Sequence, residues 1–97
     1  MRLVNKNYDL LDKLSDKFLK QHDVPSEFFL KKMWSYYYHN DLETNNCLAD
    51  IFYRLYLTEK KDSYDKIVLD FNIGLSTLSR YRKKFNDLAE KLLPTID

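Results

Sequence analysis

Four basic side chains and no carboxylate lie between Leu75 and Asn86, in a chain whose formal charge is only +1. Clustered guanidinium and ammonium groups bind anions such as the phosphates of nucleic acids. Because the chain as a whole is nearly neutral, binding of this kind has to come from the local cluster rather than from general attraction. The cluster consists of Arg80, Arg82, Lys83 and Lys84.

The element that carries these cations is predicted to be an amphipathic helix. Apolar residues recur along it at helical spacing and are expected to face inward: Leu78, Tyr81, Phe85, Leu88 and Leu92. The residues left outside are Leu75, Ser76, Ser79, Arg80, Lys83 and Lys84, with Arg82 at the flank. A helix that is basic and free of carboxylates in its first half is suited to the major groove of duplex DNA.

The candidate DNA contacts of this helix fall into two sets, according to whether the side chain can reach a base edge or a phosphate. Early residues on the exposed face are candidates for base edges, where an arginine binds guanine and an apolar side chain touches the thymine methyl group: Leu75, Ser76, Ser79 and Arg80. The others are better placed for phosphates, which add affinity with little sequence information: Thr77, Arg82, Lys83 and Lys84.

A second predicted helix comes immediately before the basic one. Ser63 is a good N-cap for it, and its inward face is formed by Tyr64, Ile67, Val68 and Phe71. Asn72 tolerates the left-handed conformation that a tight turn needs, and Ile73 is an apolar plug under that turn. Residues 63–93 are therefore predicted to form a helix-turn-helix.

The segment 51–93 resembles the C-terminal helix-turn-helix of sigma-70 region 4, and it looks more like the small phage regulators of the ArpU and RinA type. The matching features are an apolar helix ending in LYL, a charged connection, and the stretches YDKIVLDFNI and STLSRYRKKFNDLAEKL. The resemblance implies a bacterial or phage transcriptional regulator that could meet RNA polymerase. It carries DNA contact onto Leu75, Ser76, Ser79 and Arg80. Val68 and Gly74 depart from the usual Ala and the usual Ser or Thr cap.

Composition and periodicity predict one all-α domain over residues 1–97, with about five helices. One Gly and two Pro among 97 residues favour helices over strands, and the high aromatic content predicts an aromatic core. Residues 1–58 are expected to form a scaffold of three helices, which could also support oligomerisation. Their predicted bounds are Tyr8 to Gln21, Pro25 to about His39-Asn40, and Leu48 to about Thr58. Helical spacing predicts an inward apolar stripe on each of them: Tyr8, Leu11, Leu14 and Phe18 on the first, Leu30, Met33, Trp34, Tyr37 and Tyr38 on the second, and Leu48, Ile51, Phe52, Leu55 and Tyr56 on the third.

The aromatic run from Trp34 to His39 cannot face one core, because a helix points successive residues around its circumference. Tyr36 is therefore expected to be exposed. The run is interpreted as core plus ordinary surface tyrosines, with an interface of a homodimer or another partner as the alternative.

Other chemistry has little support in the sequence. Cys47 excludes an internal disulfide and is expected to be a free thiol, and its spacing from His22 and His39 resembles no metal site. The lone Gly74 excludes a glycine-rich phosphate loop, so we expect neither an enzyme nor a cofactor. No apolar run is long enough to span a bilayer, and no signal peptide is evident, so a cytoplasmic location is expected.

The function predicted from these patterns is sequence-specific binding of double-stranded DNA in transcriptional regulation. Two alternatives remain open. One is a DNA-packaging protein of the small-terminase kind, although such proteins carry the motif at the N-terminal end. The other is an adaptor or anti-regulator that binds protein through the same fold.

Overall fold

A computed structural model describes residues 6–44 and 46–92, and within them the chain is all-α with five helices. This confirms the predicted fold class. The bounds are α1 Lys6–Gln21, α2 Val24–Thr44, α3 Leu48–Tyr56, α4 Tyr64–Phe71 and α5 Leu75–Leu92. The predicted inward position of the Tyr8 side chain and the predicted end of the last helix at residue 93 lie outside what the structure describes.

The reversal between α1 and α2 follows the predicted boundary. His22 adopts a left-handed conformation with φ 55°, and its amide donates to the Phe18 carbonyl at 3.1 Å. The Asp23 carboxylate then caps α2 by accepting from the amide of Ser26 at 3.0 Å and from its hydroxyl at 2.5 Å. These bonds hold the pKa of Asp23 below its usual value. Pro25 lies in the first turn, where its missing N–H costs nothing.

The predicted end of α2 near His39-Asn40 is wrong, because the helix continues to Thr44. The polar residues that follow His39 read as a connection in the sequence, yet they extend the helix. Asp41 explains why the extension is useful: its carboxylate accepts the amide of Ala49 at 2.7 Å and so caps α3 from the preceding helix. This cap replaces one from Cys47, whose side chain makes no capping bond.

The core is rich in aromatic rings, as expected, and it centres on Phe85 of α5. The Phe85 ring meets Tyr37 of α2 edge-on at 4.8 Å between centroids, and it meets Phe52 of α3 at 5.2 Å. All five apolar residues predicted to face inward from α3 are buried. Burial of such rings dominates core energetics, so α5 is fixed by the scaffold rather than by its own helix propensity.

Three residues expected on inward faces are exposed instead. Tyr64 is 43% exposed because it lies in the first turn of α4, at the edge of the core. Leu92 is 53% exposed because it lies beyond Ala89, the last buried residue of α5. Tyr38 is also exposed, and its ring stacks on Trp34 at 5.3 Å between centroids. Tyr36 is exposed, as predicted.

A buried polar side chain, which the sequence pattern does not single out, joins α5 to α1. Asn86 is fully buried, and its Oδ1 accepts the amide of Leu11 at 2.8 Å. Its Nδ2 donates to the Arg82 carbonyl at 2.8 Å and, over a longer distance of 3.4 Å, to the Tyr56 hydroxyl. Because a buried amide without partners is costly, this arrangement fixes the rotation of α5 against α1.

The loop between α3 and α4 is fastened to α1 by Lys61. Its ammonium group donates to the Ser15 hydroxyl and to the Leu55 carbonyl, both at 2.7 Å. The Ser15 hydroxyl in turn donates to the Tyr56 carbonyl at 2.7 Å. Burial lowers the pKa of Lys61, because desolvation disfavours the charged form. Lys61 therefore ties the loop that leads into α4 both to α1 and to the end of α3.

Candidate nucleic-acid interface

The turn between α4 and α5 has the geometry that the sequence predicted. The Ser63 hydroxyl caps α4 by accepting the Lys66 amide at 3.2 Å. Asn72 ends α4 in the left-handed conformation, with φ 57° and ψ 47°. The Asn72 amide donates to Leu69 and the Ile73 amide donates to Val68, at 3.3 and 3.0 Å. These two bonds form a Schellman motif, which ends α4 and sets the direction in which the chain enters α5.

A cation fastens α4 to the scaffold. The Arg54 guanidinium of α3 lies 2.6 Å from the Asp62 carboxylate in the loop and 2.8 Å from the Asp70 carboxylate on α4. It also lies over the Phe71 ring, 5.5 Å from its centroid. The hydrogen bond from Arg54 lowers the pKa of the Asp70 carboxyl. Nothing in the sequence pattern pairs these residues, because they lie on three separate elements.

Arg82 is placed differently from its expected role as a phosphate contact. Its side chain is only 17% exposed, and its guanidinium lies 3.5 Å from the Asp12 carboxylate of α1. The same group lies over the Tyr64 ring, 4.8 Å from the centroid. On the helix it shares a side with Leu78 and Asn86, both of which face the core, so it points toward α1. The structure assigns Arg82 to the junction of α1, α4 and α5.

The other predicted contact residues share the outer face of α5. Leu75 is 55% exposed, Thr77 is half-buried, and the remaining ones are exposed: Ser76, Ser79, Arg80, Lys83 and Lys84. The Arg80 guanidinium donates to the Thr77 hydroxyl at 3.4 Å. Lys83 lies 3.0 Å from the Asp87 carboxylate one turn later. An exposed pair of this kind is worth about 0–1 kcal/mol, so Lys83 can exchange it for a phosphate.

A cleft of about 440 Å³ separates this face of α5 from α2. Its α2 wall includes Tyr36 and Asn40, one helical turn apart, and Tyr36 is 57% exposed. Its α5 wall is mostly basic and consists of Arg80, Lys83, Lys84, Asp87, Leu88 and Lys91. The exposure of Tyr36 was predictable from the aromatic run, but its position beside α5 was not, because that depends on how the helices pack.

Other sites are few in the residues that the structure describes. Among them, no three His, Cys, Asp or Glu side chains are grouped so that they could hold a metal ion. Cys47 is an exposed free thiol. None of the five helices is long and apolar enough to cross a membrane. Comparisons of the chain with protein-family models, with curated proteins and with solved structures gave no match.

Proposed function

We propose that this chain binds double-stranded DNA in a sequence-specific manner, with α5 in the major groove. The observation that carries the proposal is the outer face of α5, which is exposed, basic and free of carboxylates from Leu75 to Asn86. An α-helix of about 10–12 Å diameter matches a groove about 12 Å wide. The α4–α5 turn and the buried contacts of Asn86 hold that face in one orientation.

The early residues of α5 supply the base contacts in this proposal. Arg80 binds the guanine edge through its two terminal nitrogens, and Leu75 meets a thymine methyl group. The hydroxyls of Ser76 and Ser79 lie on the same exposed side and bind base edges or phosphates. A good bidentate contact contributes about 1–3 kcal/mol of discrimination against the wrong base.

Lys83 and Lys84 supply the phosphate contacts, whereas Thr77 supports the base contact of Arg80. Its hydroxyl accepts from Arg80, so it orients the guanidinium before DNA arrives. Arg82 acts through packing, since its guanidinium is engaged with Asp12. Of the four cations in the cluster, Arg80, Lys83 and Lys84 therefore contact DNA in this proposal. Arg82 instead holds α5 against α1.

The resemblance of residues 51–93 to phage and sigma-type regulators supports a transcriptional role in the cytoplasm, with RNA polymerase as a partner. A homodimer belongs to the proposal because one reading helix contacts only a few base pairs. In such a dimer a second copy covers Val24 and Phe28, two large apolar side chains one helical turn apart that remain exposed on α2.

Fluorescence anisotropy with a labelled random duplex tests the proposal. We expect binding at about 50 mM salt, with affinity falling steeply as salt rises because phosphate contacts release counterions. Arg80→Ala and Lys84→Ala should each weaken binding, and Lys84→Ala should lower the salt slope by about 1.

The matched control is Lys17→Ala, because Lys17 is an exposed cation on α1 near Asp23. It lies toward the C-terminal end of α1, away from Leu11, whose amide contacts Asn86 of α5. It should bind as wild type does. Absence of binding at low salt, or equal effects of Lys17→Ala and Arg80→Ala, would refute the proposal.

A further inference from the structure

We infer that the cleft between α2 and α5 is a second DNA contact, which holds the sugar-phosphate backbone beside the groove that α5 enters. The inference rests on the proposed function. It assigns a role to Tyr36 and Asn40, two residues of the scaffold outside the helix-turn-helix segment. The ligand is a phosphodiester strand, bound through its phosphate oxygens.

The first reason is charge. Among the described residues, four cations and one carboxylate line the cleft, and all of them belong to α5. The cations are Arg80, which reads a base edge in the proposed function, and Lys83, Lys84 and Lys91, which remain for the strand. From Lys83 to Lys91 the helix rises about 12 Å, at 1.5 Å per residue. Successive phosphates of one strand are about 3.4 Å apart along the duplex axis, so this length accommodates more than one phosphate.

The second reason is the chemistry of the α2 wall. Tyr36 presents a phenolic hydroxyl, and Asn40 presents a side-chain amide with two N–H donors. Neutral donors of this kind make many of the phosphate contacts in protein–DNA complexes. No carboxylate of α2 lines the cleft, so nothing on this wall repels an anionic strand.

The third reason is geometry. The edge-on contact of Tyr37 with Phe85, at 4.8 Å between centroids, spaces α2 from α5 at the base of the cleft. Tyr37 and Phe85 are both buried, so the spacing is set by the core and exists before any ligand arrives. Because α5 alone fills the width of a major groove, a helix at its side must lie over the backbone at the groove's edge.

Variants at both walls test the inference in the same anisotropy assay. Tyr36→Phe combined with Asn40→Ala should weaken binding by roughly 5- to 150-fold, as expected for the loss of two hydrogen bonds. The loss should be equal for all duplex sequences, because phosphates carry no sequence information. Lys91→Ala should lower the salt slope by about 1. Tyr53→Phe, at another exposed tyrosine, is the control and should change nothing.

The outcomes separate this inference from the proposed function. If Arg80→Ala weakens binding but the Tyr36/Asn40 and Lys91 variants bind as wild type does, the cleft is not a backbone site and the major-groove proposal stands. If wild type binds no duplex at about 50 mM salt, both fail. If an oligo-glutamate peptide competes as well as a duplex of equal charge, the cleft binds any polyanion and the inference is overturned. Urea unfolding of each variant should match wild type, since the substituted side chains lie at the surface of the cleft.

Discussion

Replacing Asn86 with leucine should destabilise the protein more than the same replacement at an exposed asparagine. Leucine keeps roughly the same volume but removes both hydrogen-bonding groups. The Leu11 amide would lose its acceptor at 2.8 Å, and the Arg82 carbonyl would lose a donor at 2.8 Å. Both groups are in the interface of α1 with α5, where water does not replace the lost partner easily.

The size of the effect follows from these two bonds. Loss of an ordinary hydrogen bond costs about 0.5–1.5 kcal/mol, and both partner groups lie inside helices that supply a second, backbone hydrogen bond. Asn86→Leu should therefore lower the free energy of unfolding by about 1–3 kcal/mol. For a domain of this size, that corresponds to a fall in Tm of at least about 4 °C.

Urea unfolding followed by circular dichroism measures the change directly. We expect a lower midpoint with an unchanged slope, since the surface exposed on unfolding is nearly the same. Asn46→Leu is the matched control, because Asn46 is exposed before α3. A loss below about 0.5 kcal/mol for Asn86→Leu, or a loss equal to that of the control, would show that Asn86 does not tie α5 to α1.

Three further predictions concern the placement of α4. Asn72→Ala should lower the free energy of unfolding by about 1–2 kcal/mol because of the left-handed backbone, whereas Asn72→Gly should not; thermal melts that show equal losses would contradict this. Ser63→Ala should cost about 1 kcal/mol through loss of the cap, and an unchanged melting temperature would contradict that role. Asp70→Asn should lower the free energy of unfolding at pH 7. The lowered pKa of Asp70 means that the ionised carboxylate is more stable in the folded state than in the unfolded state. That difference should be present above the usual pKa of 3.8 and disappear as the pH falls through the lower folded value. A difference that is independent of pH in urea titrations would contradict the pairing with Arg54.

Local patterns predicted the helices well because several helix ends carry a capping or turn residue that can be recognised in the sequence. Ser63, Asn72 and Pro25 act through the backbone of their immediate neighbours, so their effects can be read without a fold. The end of α2 was missed for the opposite reason. Asp41 stabilises the extra turn by capping α3 across the connection, and that contact exists only after the chain has folded back.

The candidate site shows the same division. Helical periodicity placed Arg80 and Lys84 on the outer face of α5 correctly. It could not tell that Arg82, at the flank, would turn to Asp12 on α1, because the register of α1 against α5 is a property of packing. It also gave Asn40 no role and interpreted Tyr36 as a surface tyrosine or a partner contact, since only the packing of α2 brings the two residues beside the basic helix.

Selection of bound duplexes from a random pool, carried out in parallel for wild type and Arg80→Ala, tests the central claim most directly. If α5 reads base edges, wild type should enrich one consensus, and Arg80→Ala should lose the preference for guanine at one position of each half-site while keeping the rest. Two inverted half-sites about one helical turn apart would establish the dimer. No enriched consensus for wild type, or the same consensus for both proteins, would contradict the claim that α5 reads DNA sequence.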